Sequence, residues 1–263
     1  MKDVLILVAT HKKYQMPKDE LYLPIHVGRE GKEDIGYQGD NTGDNISSKN
    51  PNYCELTALY WAWKNLDVKY IGLCHYRRYF TNKSLICRLV NKKKWEKLIL
   101  SKSEAEALLD SYDIILPKKR NYFIESVWAH YEHTQHIKDL EATKQVIEEK
   151  YPEYLTAFNN VMRGKKVHLY NMFIMEKRNF DRYCEWLFDI LFELEKRIDI
   201  SQYNTFHARV YGFISELLLD VWLSKENFRV KELKVINIEG INWPKKIAKF
   251  IISKVTGYKF SKI

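Results

Sequence analysis

Three short apolar runs, each stopped by a polar turn or a proline, restrict this chain more than any other feature. They are Val4–Ala9 (VLILVA), Tyr70–Cys74 (YIGLC) and Tyr112–Leu116 (YDIIL). Runs this short, continuous and rich in β-branched residues read as strands covered on both faces, the habit of parallel α/β sheets. Between them the pattern changes to helical spacing. Asn52 begins a helix with Glu55 three residues on, a variant of the capping box, and Leu56, Leu59, Tyr60 and Trp63 follow on one side. Ser101 and Glu104 open a second helix. Residues 1–117 therefore read β–loop–α–β–α–β.

Helices dominate from residue 118. The expected ones cover 134–150, 152–162, 179–198 and 206–223, with strands over 167–176 and 228–237. The chain has no internal repeat. Its 263 residues, 46% hydrophobic with only ten Gly and six Pro, suit a folded domain and exclude a disordered or linker-rich chain. The net charge is +9, but six Lys between Lys245 and Lys262 stand there without an acid, which leaves about +3 elsewhere. A nucleic-acid binder should carry its excess on the folded body, so that class is disfavoured. Trp243, Ile247, Phe250, Ile251, Val255 and Tyr258 fall on one side of a helix opposite most of those Lys, which makes 241–263 a basic amphipathic tail suited to a membrane surface. A C-terminal helix docked on the body is the other reading of the same pattern.

Cys54, Cys74, Cys87 and Cys184 are scattered singly, which suits neither a zinc ribbon nor a disulfide scaffold. No signal-peptide core follows Met1, and no apolar run approaches the roughly 20 residues that span a bilayer. The expectation is a reduced, cytoplasmic protein.

Ligands of open α/β sheets sit beyond the carboxyl ends of strands. The first run ends at Thr10-His11, and the second delivers His75-Tyr76-Arg77-Arg78-Tyr79-Phe80. Two guanidiniums and an imidazole there can grip a diphosphate, although a solvated basic turn has the same composition. Thr10, His11, Asp44, His75 and Arg77 are expected to line one pocket. The loop from Gly39 to Ser48 carries Asp40, Asp44 and Asn45. Two carboxylates can hold a divalent metal beside phosphates, but Asx turns use the same residues, and no Asp-x-Asp follows the second strand. His130, His133 and His136 lack the spacing of a helical zinc pair. Asp139, next on that helix, is a candidate general base or a surface carboxylate. Asn171 and Glu216 are polar residues in apolar segments and must find partners or a ligand. Arg209 precedes Glu216 by two helical turns.

Several segments together resemble one family. They are Ile6–Lys12, Leu23–Gly28, Gly43–Ser47, Cys54–Lys64 (which contains Glu55), Gly72–Phe80 and Gly212–Glu216. As a set they are similar to the domain-of-unknown-function 4422 family of bacterial capsule and exopolysaccharide clusters, over roughly residues 3–225. That family is similar to glycosyltransferases, and some members are regarded as β-galactofuranosyltransferases. The resemblance implies a GT-A-like (Rossmann-like), mostly parallel sheet flanked by helices, with a helix-rich C-terminal half. One glycosyltransferase domain over 1–240 would divide into a nucleotide-binding half, 1–117, and an acceptor-side half, 118–240.

The implied activity is transfer of a sugar, galactofuranose being the suggested one, from a UDP-sugar to a lipid-linked glycan. An inverting enzyme is expected, and the basic tail over 241–263 suggests a place on the inner face of the bacterial membrane. His75, Tyr76, Arg77 and Arg78 would neutralise the leaving UDP where related enzymes use a metal-binding Asp-x-Asp. A divalent metal is then not favoured, and Asn41 stands where an acidic residue would be expected. Asn171 would lie beside the donor sugar, with Thr10, His11, Asp40, Asp44, Asn45, Glu55 and Arg209 as further substrate contacts. Asp139 and Glu216 compete for the base. A non-catalytic sugar-nucleotide or carbohydrate-binding protein is the alternative.

Overall fold

The computed structural model describes residues 3–84, 87 and 94–239, so the basic tail over 241–263 lies outside the described residues. The strands are β1 (Val4–Thr10), β2 (Tyr22–His26), β3 (Gln38–Gly39), β4 (Tyr70–His75), β5 (Arg78–Thr81), β6 (Ile114–Pro117), β7 (Arg120–Asn121), β8 (Lys166–Val167), β9 (Phe173–Glu176) and β10 (Val230–Asn237). The helices are α1 (Asn50–Tyr53), α2 (Leu56–Asn65), α3 (Lys102–Ser111), α4 (Val127–Thr134), α5 (Ile137–Lys150), α6 (Leu155–Arg163), α7 (Lys177–Arg197) and α8 (Val210–Leu223).

Eight strands form one sheet in the order β3-β2-β1-β4-β5-β10-β6-β9, and β9 pairs with β4 as well. The expected mostly parallel sheet is corrected to a mixed one. Among the described residues, β1–β2, β1–β4, β2–β3 and β6–β10 are parallel, whereas β4–β5, β5–β10, β4–β9 and β6–β9 are antiparallel. The cause is local. Only Tyr76 and Arg77 separate β4 from β5, and a two-residue turn can only reverse the chain. Strand β9 then runs against both β4 and β6. Gly72 lets it approach, because a Cβ there would lie 2.6 Å from the Phe173 carbonyl oxygen.

Both faces of the sheet are covered, which is why β1 reads as an unbroken apolar run. Leu7 and Ala9 face a cluster formed with every described helix but α3, while Val4, Ile6 and Val8 face a second cluster that includes Ala105 and Leu109 of α3. Ile6, Leu7 and Val8 are fully buried, and each such side chain contributes about 1.5–3 kcal/mol. The larger cluster draws on residues from both 1–117 and 118–240, so the two halves share one core.

The expected capping box is present at Ser101 and Glu104. The helix expected from Asn52 is in two pieces. Cys54, at φ 53° and ψ −129°, breaks it, and Glu55 becomes the residue before α2 without capping it. The strand expected over 167–176 is also interrupted. Tyr170 (φ 77°) and Asn171 (φ 52°) turn the chain through the left-handed region between β8 and β9. Both breaks are costly backbone conformations for residues other than glycine, and both deliver side chains to the same place.

Candidate active site

That place is the carboxyl edge of the sheet. Strands β1 and β4 are adjacent and parallel, with Ala9 opposite His75, so their carboxyl ends lie side by side as expected. Strand β9 runs the other way, with Phe173 opposite Leu73. The residues that enter β9, Tyr170 and Asn171, therefore come to the edge where His75 leaves β4. His75 Nε2 lies 2.7 Å from the Tyr170 carbonyl oxygen. A carbonyl only accepts, so Nε2 carries the proton and Nδ1 keeps a lone pair. Burial, chiefly, and the Arg78 charge lower the His75 pKa and favour this neutral form.

Asn171 is buried and ties three elements together. Its Nδ2 donates to Glu55 Oε1 at 2.8 Å and to the Gly212 carbonyl at 3.2 Å. Its Oδ1 is 3.0 Å from the Ser215 hydroxyl. Asn171 thus meets its hydrogen-bonding requirement within the protein while fixing the carboxylate of Glu55 against α8.

Glu216, half-buried one residue beyond Ser215, is the most perturbed carboxyl of the cluster. Burial is the main cause, and the negative charge of Glu55 adds to it; together they raise its pKa to about 8. The Tyr170 backbone and the Arg78 and Arg209 guanidiniums pull the other way. Arg78 lies 4.6 Å over the Tyr170 ring, and Arg209 Nε donates to Cys54 Sγ at 3.1 Å. Among the described residues neither arginine forms an ion pair with a carboxylate. Burial raises the Cys54 thiol to about 11, so it is a neutral hydrogen-bond acceptor rather than a nucleophile. Two carboxyls, one of them tuned near neutrality, thus sit with a neutral imidazole and two cations whose charges no carboxylate pairs with among the described residues. Such a set can exchange a proton with a hydroxyl and stabilise negative charge beside it.

The other expected residues distribute differently. Thr10 and His11 stand at the end of β1. Thr10 Oγ1 donates to the Lys12 carbonyl at 2.7 Å, and His11 meets Tyr76 edge to face at 5.5 Å. Arg77 stacks 4.7 Å from the Tyr76 ring centre and pairs with Glu239 at 2.7 Å. Its charge is already matched, so Arg77 and Arg78 are not equivalent. Asp40 is fully buried and accepts from the Gly28 and Arg29 amides, Ser47 and Thr57. It is the hub of its loop, with no carboxylate oxygen left over for a ligand. Asp44 and Asn45 belong to turn chemistry. Asn45 bridges Gly43 and Ser47, and Asp44 accepts from Tyr60 at 3.2 Å while its carbonyl accepts from Asn65 at the far end of α2. The contacts of Asp44 are thus with α2, and among the described residues none is with His75.

Asp139 is buried near the start of α5 and accepts from the Tyr203 hydroxyl at 2.8 Å. Burial raises its pKa, and its charged neighbours are Lys138 and His207 rather than Arg78, Arg209 or Glu216. It is not brought into the same cluster as Glu216. Among the described residues no group of three or more His, Cys, Asp or Glu side chains is placed to hold a metal ion.

Sequence reasoning did not single out Tyr170, Ser215 or Glu239. The signal for Tyr170 and Asn171 was available in part, since an Asn in an apolar segment also suits a left-handed turn. Nothing local marks Glu239 as the partner of Arg77, from which it is 162 residues distant.

The fold and the cluster define an α/β protein of glycosyltransferase-like architecture. The chain is similar to WbbM, a bifunctional glycosyltransferase solved in its apo form, with a TM-score of 0.82 and 33% identity over 91% of this chain and 46% of that one. It thus spans about half the length of WbbM. The sequence pattern of the family described as Domain of unknown function (DUF4422) matches residues 5–227, and the chain belongs to that family. No curated protein is matched.

Proposed function

We propose that this protein is a glycosyltransferase that moves a sugar from a UDP-sugar to a glycan hydroxyl. The observation that carries the reading is Glu216, a carboxyl raised to about 8 chiefly by burial and under the influence of Glu55 and of two arginines that, among the described residues, pair with no carboxylate. The likeness to WbbM supports it. The ionised Glu216 takes the proton of the acceptor hydroxyl as its oxygen attacks the anomeric carbon. The bond from that carbon to the diphosphate oxygen breaks, and UDP departs with the electron pair. Arg78 and Arg209 offset the charge that develops on it. Attack from the face opposite the diphosphate makes the transfer inverting.

Glu55, fixed by Asn171, adds to the effect of burial in raising the basicity of Glu216. His75 donates to the Tyr170 carbonyl and so fixes the platform on which Arg78 stacks. His11 and Arg77, exposed and half-exposed beside the buried Tyr76 ring, are the groups left to meet the nucleoside. Galactofuranose as the sugar and a lipid-linked glycan as the acceptor, as the family resemblance implies, complete the reading.

A thermal-shift screen of UDP-sugars tests the donor half. A ligand present at about 100 times its Kd adds roughly 2.7 kcal/mol to stability and raises the melting temperature. UDP-galactofuranose should do so in the wild type and do so less in Arg78→Ala. No shift with any UDP-sugar would contradict the reading.

A further inference from the structure

The turn between β7 and α4 leaves two large apolar side chains in solvent. Phe123 and Ile124 are each 74% exposed. The turn is nevertheless tightly built. The Phe123 amide donates to Asn121 Oδ1 at 2.9 Å, and the Ile124 amide donates to the Tyr122 carbonyl at 2.7 Å. Phe123 itself has φ 60°, a conformation that a bulky residue rarely adopts. The two arms of the turn are fastened to the segment before β8, with Tyr122 donating to the Lys165 carbonyl and Val127 to that of Gly164, both at 2.8 Å. This fastening brings Arg120, Arg163, Lys165 and Lys166 around the base of the tip. All four are exposed, and among the described residues none forms an ion pair. The nearest acid in sequence, Glu125, is engaged by His130 and His133 at 2.8 Å each.

We infer that this tip docks the protein on an anionic lipid surface, with Phe123 and Ile124 entering the headgroup layer and the four cations contacting lipid phosphates. Two protruding apolar residues offer far less than the roughly 800 Å² per partner of a stable protein interface, but they suit insertion into a bilayer boundary. A collar of unpaired Lys and Arg matches the charge of such a surface. Nucleic acid would use the cations and leave the Phe–Ile pair without a purpose. The position also has a use. Tyr122, one residue before the tip, lies within electrostatic reach of Glu216, so docking here holds the candidate active site close to the membrane plane.

The test is co-sedimentation of the full chain with vesicles of phosphatidylcholine containing about one-third phosphatidylglycerol. Phe123→Ser/Ile124→Ser and Lys165→Glu/Lys166→Glu are the variants, and residues 241–263 remain in every one. Exposed positions should leave the melting temperature unchanged. The wild type should pellet with these vesicles, and each variant should bind roughly tenfold or more weakly. Pure phosphatidylcholine should bind the wild type less, and high salt should weaken what binding there is. Equal pelleting of the wild type and Phe123→Ser/Ile124→Ser would assign membrane contact to another part of the chain and overturn the inference. Failure of the wild type to pellet would overturn it in favour of a macromolecular partner for the tip.

Discussion

Asn171 Nδ2 donates to Glu55 Oε1 at 2.8 Å across 116 residues of sequence. The bond joins two places where the backbone departs from regular structure, the break at Cys54 and the left-handed turn at Tyr170 and Asn171. Each break would be unfavourable alone. Together they bring the carboxylate of Glu55 to the helix that carries Glu216, and the charge of Glu55 helps to set the Glu216 pKa.

Replacing Asn171 should therefore affect both stability and activity. Asn171→Ala removes the bonds to Glu55, Gly212 and Ser215 and places a residue with a Cβ and no compensating side-chain bond at φ 52°. A loss of roughly 2 kcal/mol or more is expected, read as a lower denaturation midpoint. Asn171→Gly accepts the backbone conformation and should lose less stability, yet transfer should fall in both variants. Wild-type turnover in Asn171→Gly would show that Glu55 needs no such support.

The raised pKa of Glu216 gives two pH dependences. As a base it must be ionised, so kcat/KM should rise with pH and level off above about 8. Stability should move the other way. Between the ordinary glutamate pKa, about 4.3, and about 8, the folded state holds a proton that the unfolded state has released. Raising the pH through that window therefore costs stability. Glu216→Gln has no such proton and should flatten the fall in melting temperature. An unchanged slope in Glu216→Gln would place the titrating group elsewhere.

Arg78 and Arg77 should separate in a nucleotide-binding assay. Arg78→Ala removes a guanidinium that has no carboxylate partner among the described residues and should weaken UDP-sugar binding by about 1.5–3 kcal/mol. Arg77 forms a pair with Glu239 in which each side chain is 40% exposed, and breaking it should cost less than about 1 kcal/mol of stability. Titration calorimetry with UDP checks the order. Equal losses in the two variants would mean that Arg77 leaves Glu239 to meet the diphosphate.

Asp40 should behave as a framework residue. Asp40→Ala abandons the Gly28 and Arg29 amides and the hydroxyls of Ser47 and Thr57 in a buried site. A loss of roughly 3 kcal/mol or more is expected from chemical denaturation. A variant with full stability but no UDP-sugar binding would return Asp40 to the ligand site.

The sequence was most informative where one local rule decides the outcome. The run Val4–Ala9 marks a strand buried on both faces, and Ser101 with Glu104 marks a helix start, because each pattern carries its own cause. His75, Arg78, Asn171 and Glu216 were legible as chemically unusual residues, whereas Glu55 read as a helix cap and Arg209 only as a neighbour in sequence. The sheet was less legible. Antiparallel β5 and β9 arise from a two-residue turn and from long-range pairing, neither of which hydrophobic periodicity encodes. Asp44 and Asp139 look like free carboxylates in sequence, and only tertiary contacts give them Tyr60 and Tyr203 as partners.

The most direct test is single-turnover sugar transfer from the UDP-sugar that binds best, with a glycan acceptor, comparing wild type, Glu216→Gln and Asp139→Asn. The wild type should form one glycosidic product for each UDP released. Glu216→Gln should bind the donor but transfer at a rate lower by roughly 100- to 10,000-fold, the usual contribution of a general base. Asp139→Asn, once shown to be folded, should transfer at a near-normal rate. Near-normal transfer by Glu216→Gln, or loss of transfer in a folded Asp139→Asn with Glu216 intact, would contradict the account.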